Sequence, residues 1–200
     1  MARKPRHYHY RRLHGWSAVL FLVLVGLVFL AQQAGWINFD KAKQTAVSQQ
    51  PGLYSVTQFV DGDTITVNMN GHEEKVRFVG VDTPETHKPN APVQCFGPAA
   101  AAFTKTTIGS HQVRLVSDSQ STDRDRYNRL LRYVYLPDGT NVNEALIQGG
   151  YGFYYPYFPF TKSDEFAAAQ ATAMAAHKGL WASCHPTPTD RGGYISNDQG

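Results

Sequence analysis

Cysteine is scarce in this chain: two among 200 residues, against eight histidines. No CxxC or HExxH spacing occurs, and the histidines do not cluster at ligand spacing, which argues against a zinc centre. No internal repeat is present, so solenoid and propeller architectures drop out. Acidic residues are missing before Asp40, while Arg3, Lys4, Arg6, Arg11 and Arg12 put five positive charges there. Removing those five from the 19 Lys and Arg leaves 14 basic against 16 acidic residues, so the formal +3 of the whole becomes −2 for the rest. A broad polybasic face is thereby excluded. Any polyanion must be held locally, by a few arginines and a metal.

Charge is also missing from Trp16 to Ala31, a stretch interrupted only by Ser17 and Gly26. Gly35, Trp36 and Ile37 can extend it toward the ~20 residues that a membrane span needs. The basic residues precede it, so the positive-inside rule puts residues 1–15 in the cytoplasm and the chain after 37 outside. An uncleaved anchor over residues 16–37 is the expectation. A cleaved, secretory signal is the alternative, although Leu30-Ala31-Gln32-Gln33-Ala34 has glutamine where cleavage prefers a small residue. Residues 38–52 are polar and read as a linker.

Beyond the linker, apolar and aromatic residues are plentiful enough for one domain with its own core, over residues 53–184. Runs near 54–60, 63–69 and 74–81 alternate apolar and polar residues as half-buried strands do. Gly97-Pro98 opens an alanine-rich helix to about Ile108, with proline in the first turn. Residues 111–116 and 130–136 alternate as two more strands, the second closed by Pro137-Asp138-Gly139. Val142 to Gln148 reads as a short helix ended by Gly149-Gly150. Thr161-Lys162-Ser163-Asp164 reads as a capping box for a last helix through His177, stopped by Gly179. Residues 185–200 read as a disordered tail. The expected class is α+β: a five-stranded OB-type Greek-key β-barrel with about three α-helices, preceded by one transmembrane helix.

The most informative residues are Asp61-Gly62-Asp63-Thr64 and, one strand later, Arg77-Phe78-Val79-Gly80-Val81-Asp82-Thr83-Pro84-Glu85-Thr86. Side by side in a sheet, they gather carboxylates around one arginine. Asp63 and Asp82 at strand ends offer the hard oxygen ligands that calcium or magnesium prefers. A metal next to an arginine suits a phosphodiester, because both offset negative charge that builds on phosphate oxygens. Glu85 lies three residues beyond Asp82, with Pro84 stiffening the turn, so one carboxylate can hold a metal while the other reaches its water. Each residue also has a plainer reading: Asp-Gly as a hairpin turn, Arg77 as a surface arginine, Asp82 as a cap, Arg129 as a partner of Asp123 or Asp125.

These segments, together with Phe96-Gly97-Pro98, Ala102-Phe103-Thr104-Lys105, Asp125-Arg126-Tyr127-Asn128-Arg129, Val142-Asn143-Glu144-Ala145-Leu146 and Gly179-Leu180-Trp181, occur in one order along residues 54–181. In that order and near that spacing, the stretch resembles the thermonuclease family, of the staphylococcal (micrococcal) nuclease type. The resemblance implies calcium held by Asp63, Asp82 and the backbone carbonyl of Thr83, and water activated by Glu85. It implies a scissile phosphate bound by Arg77 and Arg129, and nucleotides bound by Tyr127, Tyr155 and Tyr157. The implied reaction is hydrolysis of DNA or RNA at the P–O5′ bond, leaving 3′-phosphates. A monomer with no obligate protein partner is expected. Two guanidiniums could each give two hydrogen bonds to the phosphate. Asn128 stands where the family often has glycine, and asparagine tolerates the left-handed conformation such a loop needs. Tyr151 to Phe160 is strongly aromatic, which fits either packing or base stacking.

Cys95 and Cys184 are a further departure from that pattern. In an exported domain they suggest one disulfide, closing a ring worth about 4–5 kcal/mol in the chain-entropy model. Two free buried thiols are the alternative.

Overall fold

The computed structural model describes residues 21–22, 52–86 and 92–197. The chain divides into two units, Met1–Gln49 and Gln50–Gly200. Of the first, only the helical, exposed Phe21 and Leu22 are described. The expected membrane segment over 16–37 and the linker up to residue 51 otherwise lie outside the described residues. Among the described residues no helix is long and apolar enough to cross a membrane.

The second unit is built on a closed barrel. Strands β1 (Leu53–Phe59), β2 (Thr64–Met69), β3 (His72–Phe78), β5 (Gln112–Val116) and β6 (Leu130–Tyr135) close in the order β1-β2-β3-β6-β5. Only β3 and β6 run parallel, pairing Val76 with Leu130 and Phe78 with Arg132. This is the five-stranded OB-like barrel expected from the strand pattern. Ile65, Val67, Val76 and Phe78 on β2 and β3 fill the barrel with Val113 and Val134 of β5 and β6. The alternation is less clean than expected, since Thr64 and Thr66 are buried too. Thr64 stays inside because its hydroxyl donates to Asp63, which sits at the functional end of the strand.

Helix α1 (Gly97–Ile108) lies between β4 (Val81–Asp82) and β5 in the chain. It meets the barrel's loop end, where the Thr104 hydroxyl donates to the Gly62 carbonyl. Helix α2 (Val142–Gln148) is capped by the Asn141 side chain. Its fully buried Asn143 accepts from the Val134 amide and donates to the carbonyls of Val79 and Arg132. One amide thus ties the helix to two strands. Helix α3 (Ser163–Ala175) covers the core with Phe166.

The expected capping box at Thr161 does not form. The first turn of α3 has no side-chain cap, because the Thr161 hydroxyl and amide both donate to Asp118 instead. The helix also stops at Ala175, ahead of His177, which takes a positive φ of 48°.

Residues 185–197 are not a structureless tail. After the short helix α4 (Leu180–Ser183), β8 (Thr187–Pro188) pairs with β9 (Tyr194–Ile195). Tyr194 packs edge-on against Trp181 with ring centres 4.9 Å apart, and against Phe153 of β7 (Phe153–Tyr154) at 6.1 Å. Composition hid this because the anchors are few and distant in sequence. Cys95 and Cys184 are joined in a disulfide with Cα atoms 5.7 Å apart. The Cys95 amide donates to the Asn197 carbonyl at 2.8 Å, and the Ser196 hydroxyl to the Cys95 carbonyl at 2.7 Å.

Asp118, only 7% exposed, is the centre of a buried polar cluster. Its carboxylate accepts from the Tyr133 hydroxyl, from the Thr161 amide and hydroxyl, and from the amides of Gln120 and Ser121. Burial alone would raise its pKa, but these donors outweigh that and hold it at about 2. A carboxyl lowered from 3.8 in the folded state contributes stability that is present above the unfolded value and is lost as pH falls through the folded one. Removing the charge with Asp118→Asn is therefore expected to cost about 2 kcal/mol at neutral pH. The variant should also lose less stability than the parent between about pH 4 and pH 2, measured by denaturant titration at each pH.

Candidate active site

The loop before β2, the outward face of β3, β4 and the loop after it converge on one guanidinium. Arg77 faces Thr64 across the β2–β3 pair, which brings it beside Asp63. Its Nε lies 3.1 Å from Asp63 Oδ1, and its Nη2 donates to Asp82 Oδ1 at 2.7 Å. Its Nη1 donates to the carbonyls of Phe78 and Val81, at 2.9 and 2.6 Å. Four of the five N–H donors of an arginine are thereby spoken for. The expectation of two free hydrogen bonds for a phosphate therefore does not hold at Arg77 as it stands. Its first task is to hold two carboxylates and two strand ends together.

Asp63 is buried, and both of its carboxylate oxygens accept hydrogen bonds. Oδ2 accepts from the Thr83 amide at 2.8 Å and its hydroxyl at 3.1 Å, and Oδ1 from the Thr64 hydroxyl. Thr83 thus ties the segment after β4 to the loop before β2. Asp61, whose Oδ1 accepts from the Asp63 amide, completes a cluster of three carboxylates. Burial and then repulsion from Asp63 push the Asp61 carboxyl up to about 7, against the pull of Arg77. Asp82 keeps 43% of its side chain exposed. Its pKa is raised by loss of solvation and by Asp63 and Glu85, with Arg77 opposing. The same three aspartates raise the Arg77 pKa against its own burial, so it stays charged.

Glycine is required twice here by close approach. A Cβ on Gly62 would lie 2.8 Å from Thr83 Cγ2 and Oγ1 and 2.9 Å from the Ala100 Cβ. A Cβ on Gly97 would lie 2.8 Å from the Glu85 carbonyl. The first contact lets the Asp61–Thr64 turn sit on Thr83 and α1. The second lets the Glu85 segment lie on the start of α1. Glu85 itself is exposed, and Gln94 clasps its backbone: Glu85 N donates to Gln94 Oε1 at 2.8 Å, and Gln94 N to the Glu85 carbonyl at 3.0 Å.

Arg129 enters from the loop before β6. Its Nε pairs with Asp125 Oδ2 at 2.7 Å, and Asp125 Oδ1 accepts the amides of Tyr127 and Arg129. The ordinary ion pair does exist, but it engages the stem side of the guanidinium. Nη1 reaches only the Thr64 hydroxyl, at 3.5 Å, and Nη2 has no hydrogen-bond partner among the described residues. Asn128 takes φ 64°, as expected of asparagine in place of glycine, and closes the loop through its amide to the Asp125 carbonyl.

The tyrosines separate. Tyr127 is 64% exposed, with the guanidinium of Arg126 4.7 Å and that of Arg129 5.5 Å from its ring centre. The Arg77 guanidinium lies 5.9 Å from the Tyr155 ring centre. Tyr157 is a step further out, edge-on to Tyr155 at 4.7 Å, with its hydroxyl 2.6 Å from that of Thr189. Asp61, Arg126 and Gln94 were given no site role from sequence, and Asp125 was read only as one possible ion-pair partner of Arg129. Asp61 stood in the first motif, and Asp125 and Arg126 adjoined Arg129, but Gln94 has no sequence signal.

A hard divalent cation fits the donors present: three carboxylates around one guanidinium give oxygen ligands and a surplus of negative charge. Among the described residues, no three His, Cys, Asp or Glu side chains are already converged as a metal-binding group. Arg77 spans the gap between Asp63 and Asp82.

A small closed barrel with a carboxylate–arginine cluster at one end is the class that fold and site define. The model of the staphylococcal nuclease homologue family matches residues 75–183. The chain is 41% identical over 169 residues to the thermonuclease of Staphylococcus hyicus, covering 82% of this chain and 94% of that protein. It is 42% identical over 123 residues to the thermonuclease of Staphylococcus intermedius, covering 61% and 70%. To endonuclease YncB of Bacillus subtilis (strain 168) it is 37% identical over 162 residues, covering 79% and 72%. The chain belongs to the staphylococcal nuclease family.

Because Gly62 has no room for a methyl group, Gly62→Ala is expected to lower stability by about 1–3 kcal/mol by forcing the turn off Thr83. Urea unfolding of the variant beside the parent measures it.

Proposed function

We propose that this protein is a calcium-dependent nuclease that hydrolyses phosphodiester bonds of DNA, RNA or both outside the cytoplasm. The observation that carries this reading is the gathering of Asp61, Asp63 and Asp82 on Arg77, with Arg129 alongside. Relatives named thermonuclease and endonuclease support it. Asp63, Asp82 and the Thr83 carbonyl would hold the calcium. When bound, the ion supplies neutralising charge at a phosphate oxygen.

The chain's own residues account for the rest. Glu85, exposed on a segment clasped by Gln94, takes a proton from the attacking water. The water oxygen forms a bond to phosphorus as the P–O5′ bond breaks. A 3′-phosphate remains, and the departing 5′ oxygen takes up a proton from solvent. Arg129 directs its uncommitted Nη2 at the charge developing on the phosphate. Arg77 contributes its remaining N–H and fixes the carboxylates. Tyr127 and Tyr155 offer ring faces to the flanking bases. The apolar residues 16–37 anchor the chain in the membrane with residues 1–15 in the cytoplasm, which puts the site on the side where calcium is abundant. In this reading the enzyme works as a monomer with no obligate protein partner.

Plasmid digestion tests the reading. Calcium is expected to support cleavage and EDTA to abolish it. Glu85→Gln and Arg129→Ala are each expected to lower kcat by about 10²–10³-fold. Intact plasmid in calcium, with retarded mobility only, would instead identify a binding protein that does not cleave.

A further inference from the structure

Glu85, the residue that takes the proton, is exposed, so its backbone rather than its packing decides where the carboxylate points. On the near side that backbone is anchored at Thr83, whose amide donates to Asp63 at 2.8 Å. On the far side the anchor is Gln94. The Glu85 amide donates to Gln94 Oε1 at 2.8 Å, and the Gln94 amide donates to the Glu85 carbonyl at 3.0 Å. One residue therefore holds both backbone polar groups of Glu85. The Gln94 carbonyl in turn accepts the Gly97 amide at 3.0 Å, at the start of α1. A general base must lie within hydrogen-bond reach of its water. A misplacement of about 1 Å can lower a rate on the order of 10²-fold.

Local backbone preference does not keep Gln94 in place. Two residues on, Phe96 takes φ 71° and ψ 0°. A bulky side chain resists this left-handed conformation, which persists only where the surroundings over-determine it. Here the surroundings come largely from the C-terminal segment. Cys95 is bonded to Cys184, its amide donates to the Asn197 carbonyl at 2.8 Å, and its carbonyl accepts the Ser196 hydroxyl at 2.7 Å. Asn197 Nδ2 also donates to the carbonyls of Cys184 and His185, at 3.2 and 2.8 Å. Cys184 and these later residues lie past residue 183, where the match to the family model ends.

Of these ties only the disulfide is covalent, and only it can be broken by a redox reagent. Cys184 is 5% exposed, whereas Cys95 is half-buried, so an incoming thiolate meets the Cys95 sulfur first.

We propose that Gln94 is the positioning residue for Glu85, and that the Cys95–Cys184 disulfide, acting through Gln94, makes cleavage sensitive to external dithiols. The proposal rests on the reading of this site as a nuclease with Glu85 as its base. A thiolate of the dithiol attacks Cys95 Sγ, breaking the S–S bond, forming a mixed disulfide and releasing the Cys184 thiolate, which takes up a proton. The second thiol of the reagent then attacks the mixed disulfide. Cys95 leaves as a thiol and the reagent as a cyclic disulfide, so two electrons and two protons pass to the cysteine pair. With the cross-link gone, Phe96 relaxes from its left-handed conformation and Gln94 moves off the Glu85 backbone. The carboxylate then loses its alignment with the water.

Steady-state plasmid cleavage in calcium by the full chain tests this, with the protein oxidised, reduced by dithiothreitol, and reoxidised by oxidised glutathione. Reduction is expected to lower kcat by about 10–100-fold and reoxidation to restore it. KM should stay within about twofold, since only an interaction of the transition state is lost. Gln94→Ala, with the disulfide intact, should lower kcat by a similar factor, and Gln94→Glu, which keeps an acceptor oxygen at the same reach, should retain it. On a Glu85→Gln background, neither reduction nor Gln94→Ala should lower the residual rate further, because both act through Glu85. A merely structural tie would lower that residual rate as well. A parent kcat that either treatment leaves unchanged, or a residual rate that falls with it, overturns the proposal while the nuclease reading stands. No cleavage by the oxidised parent sinks the nuclease reading and the proposal with it.

Discussion

Arg77 sits where the barrel's loop end would otherwise fly apart. Three aspartates share one cluster, and burial first, then repulsion between neighbouring carboxylates, raise the pKa values of Asp61 and Asp82. The guanidinium answers with ion pairs to Asp63 and Asp82, and with hydrogen bonds to the backbone of Phe78 and Val81. A buried arginine in such a place is more a determinant of geometry than a source of net stability, since loss of hydration offsets much of its attraction. It fixes where the end of β3, β4 and the loop before β2 lie relative to one another. The surplus charge that one guanidinium cannot offset is what gives the site an appetite for a further cation.

The remainder of the unit serves that arrangement at increasing distance. The β2–β3 register sets Arg77 opposite Thr64, and the parallel β3–β6 pair brings the loop of Arg129 to the same end. Asn143 ties α2 to both sides of that pair. The Glu85 segment is held by a longer chain of contacts: Gln94 clasps it, Cys95 follows, and the disulfide and the Asn197 backbone bind Cys95. The C-terminal hairpin therefore stands at the end of a covalent and hydrogen-bonded route to the loop that carries Glu85.

Much of this was legible in the sequence, for identifiable reasons. Strand and helix periodicity reports burial, so the five barrel strands, the Gly97–Ile108 helix and the Val142–Gln148 helix stood out. Asn128 could be read as left-handed from its side-chain chemistry alone. The illegible parts depend on partners far away in the chain. The capping box at Thr161 failed because Asp118, 43 residues earlier, competes for the same donors. The tail folds because a disulfide 89 residues long and the rings of Trp181 and Phe153 wait for it. Asp63, Arg77, Asp82 and Arg129 are brought together as their motifs suggested, but that most of Arg77's donors are engaged by the protein could not be read from motif spacing. Gln94 was invisible, since its role needs only that the backbone return to Glu85.

The central claim is that the aspartates around Arg77 form one divalent-cation site whose capacity comes from their uncompensated charge. Titration calorimetry with calcium on the full chain and on Asp82→Asn tests it most directly. The account predicts one calcium per chain for the parent and at least about tenfold weaker binding for the variant, since a charged hard ligand is lost. Equal calcium affinity in the two proteins would contradict it.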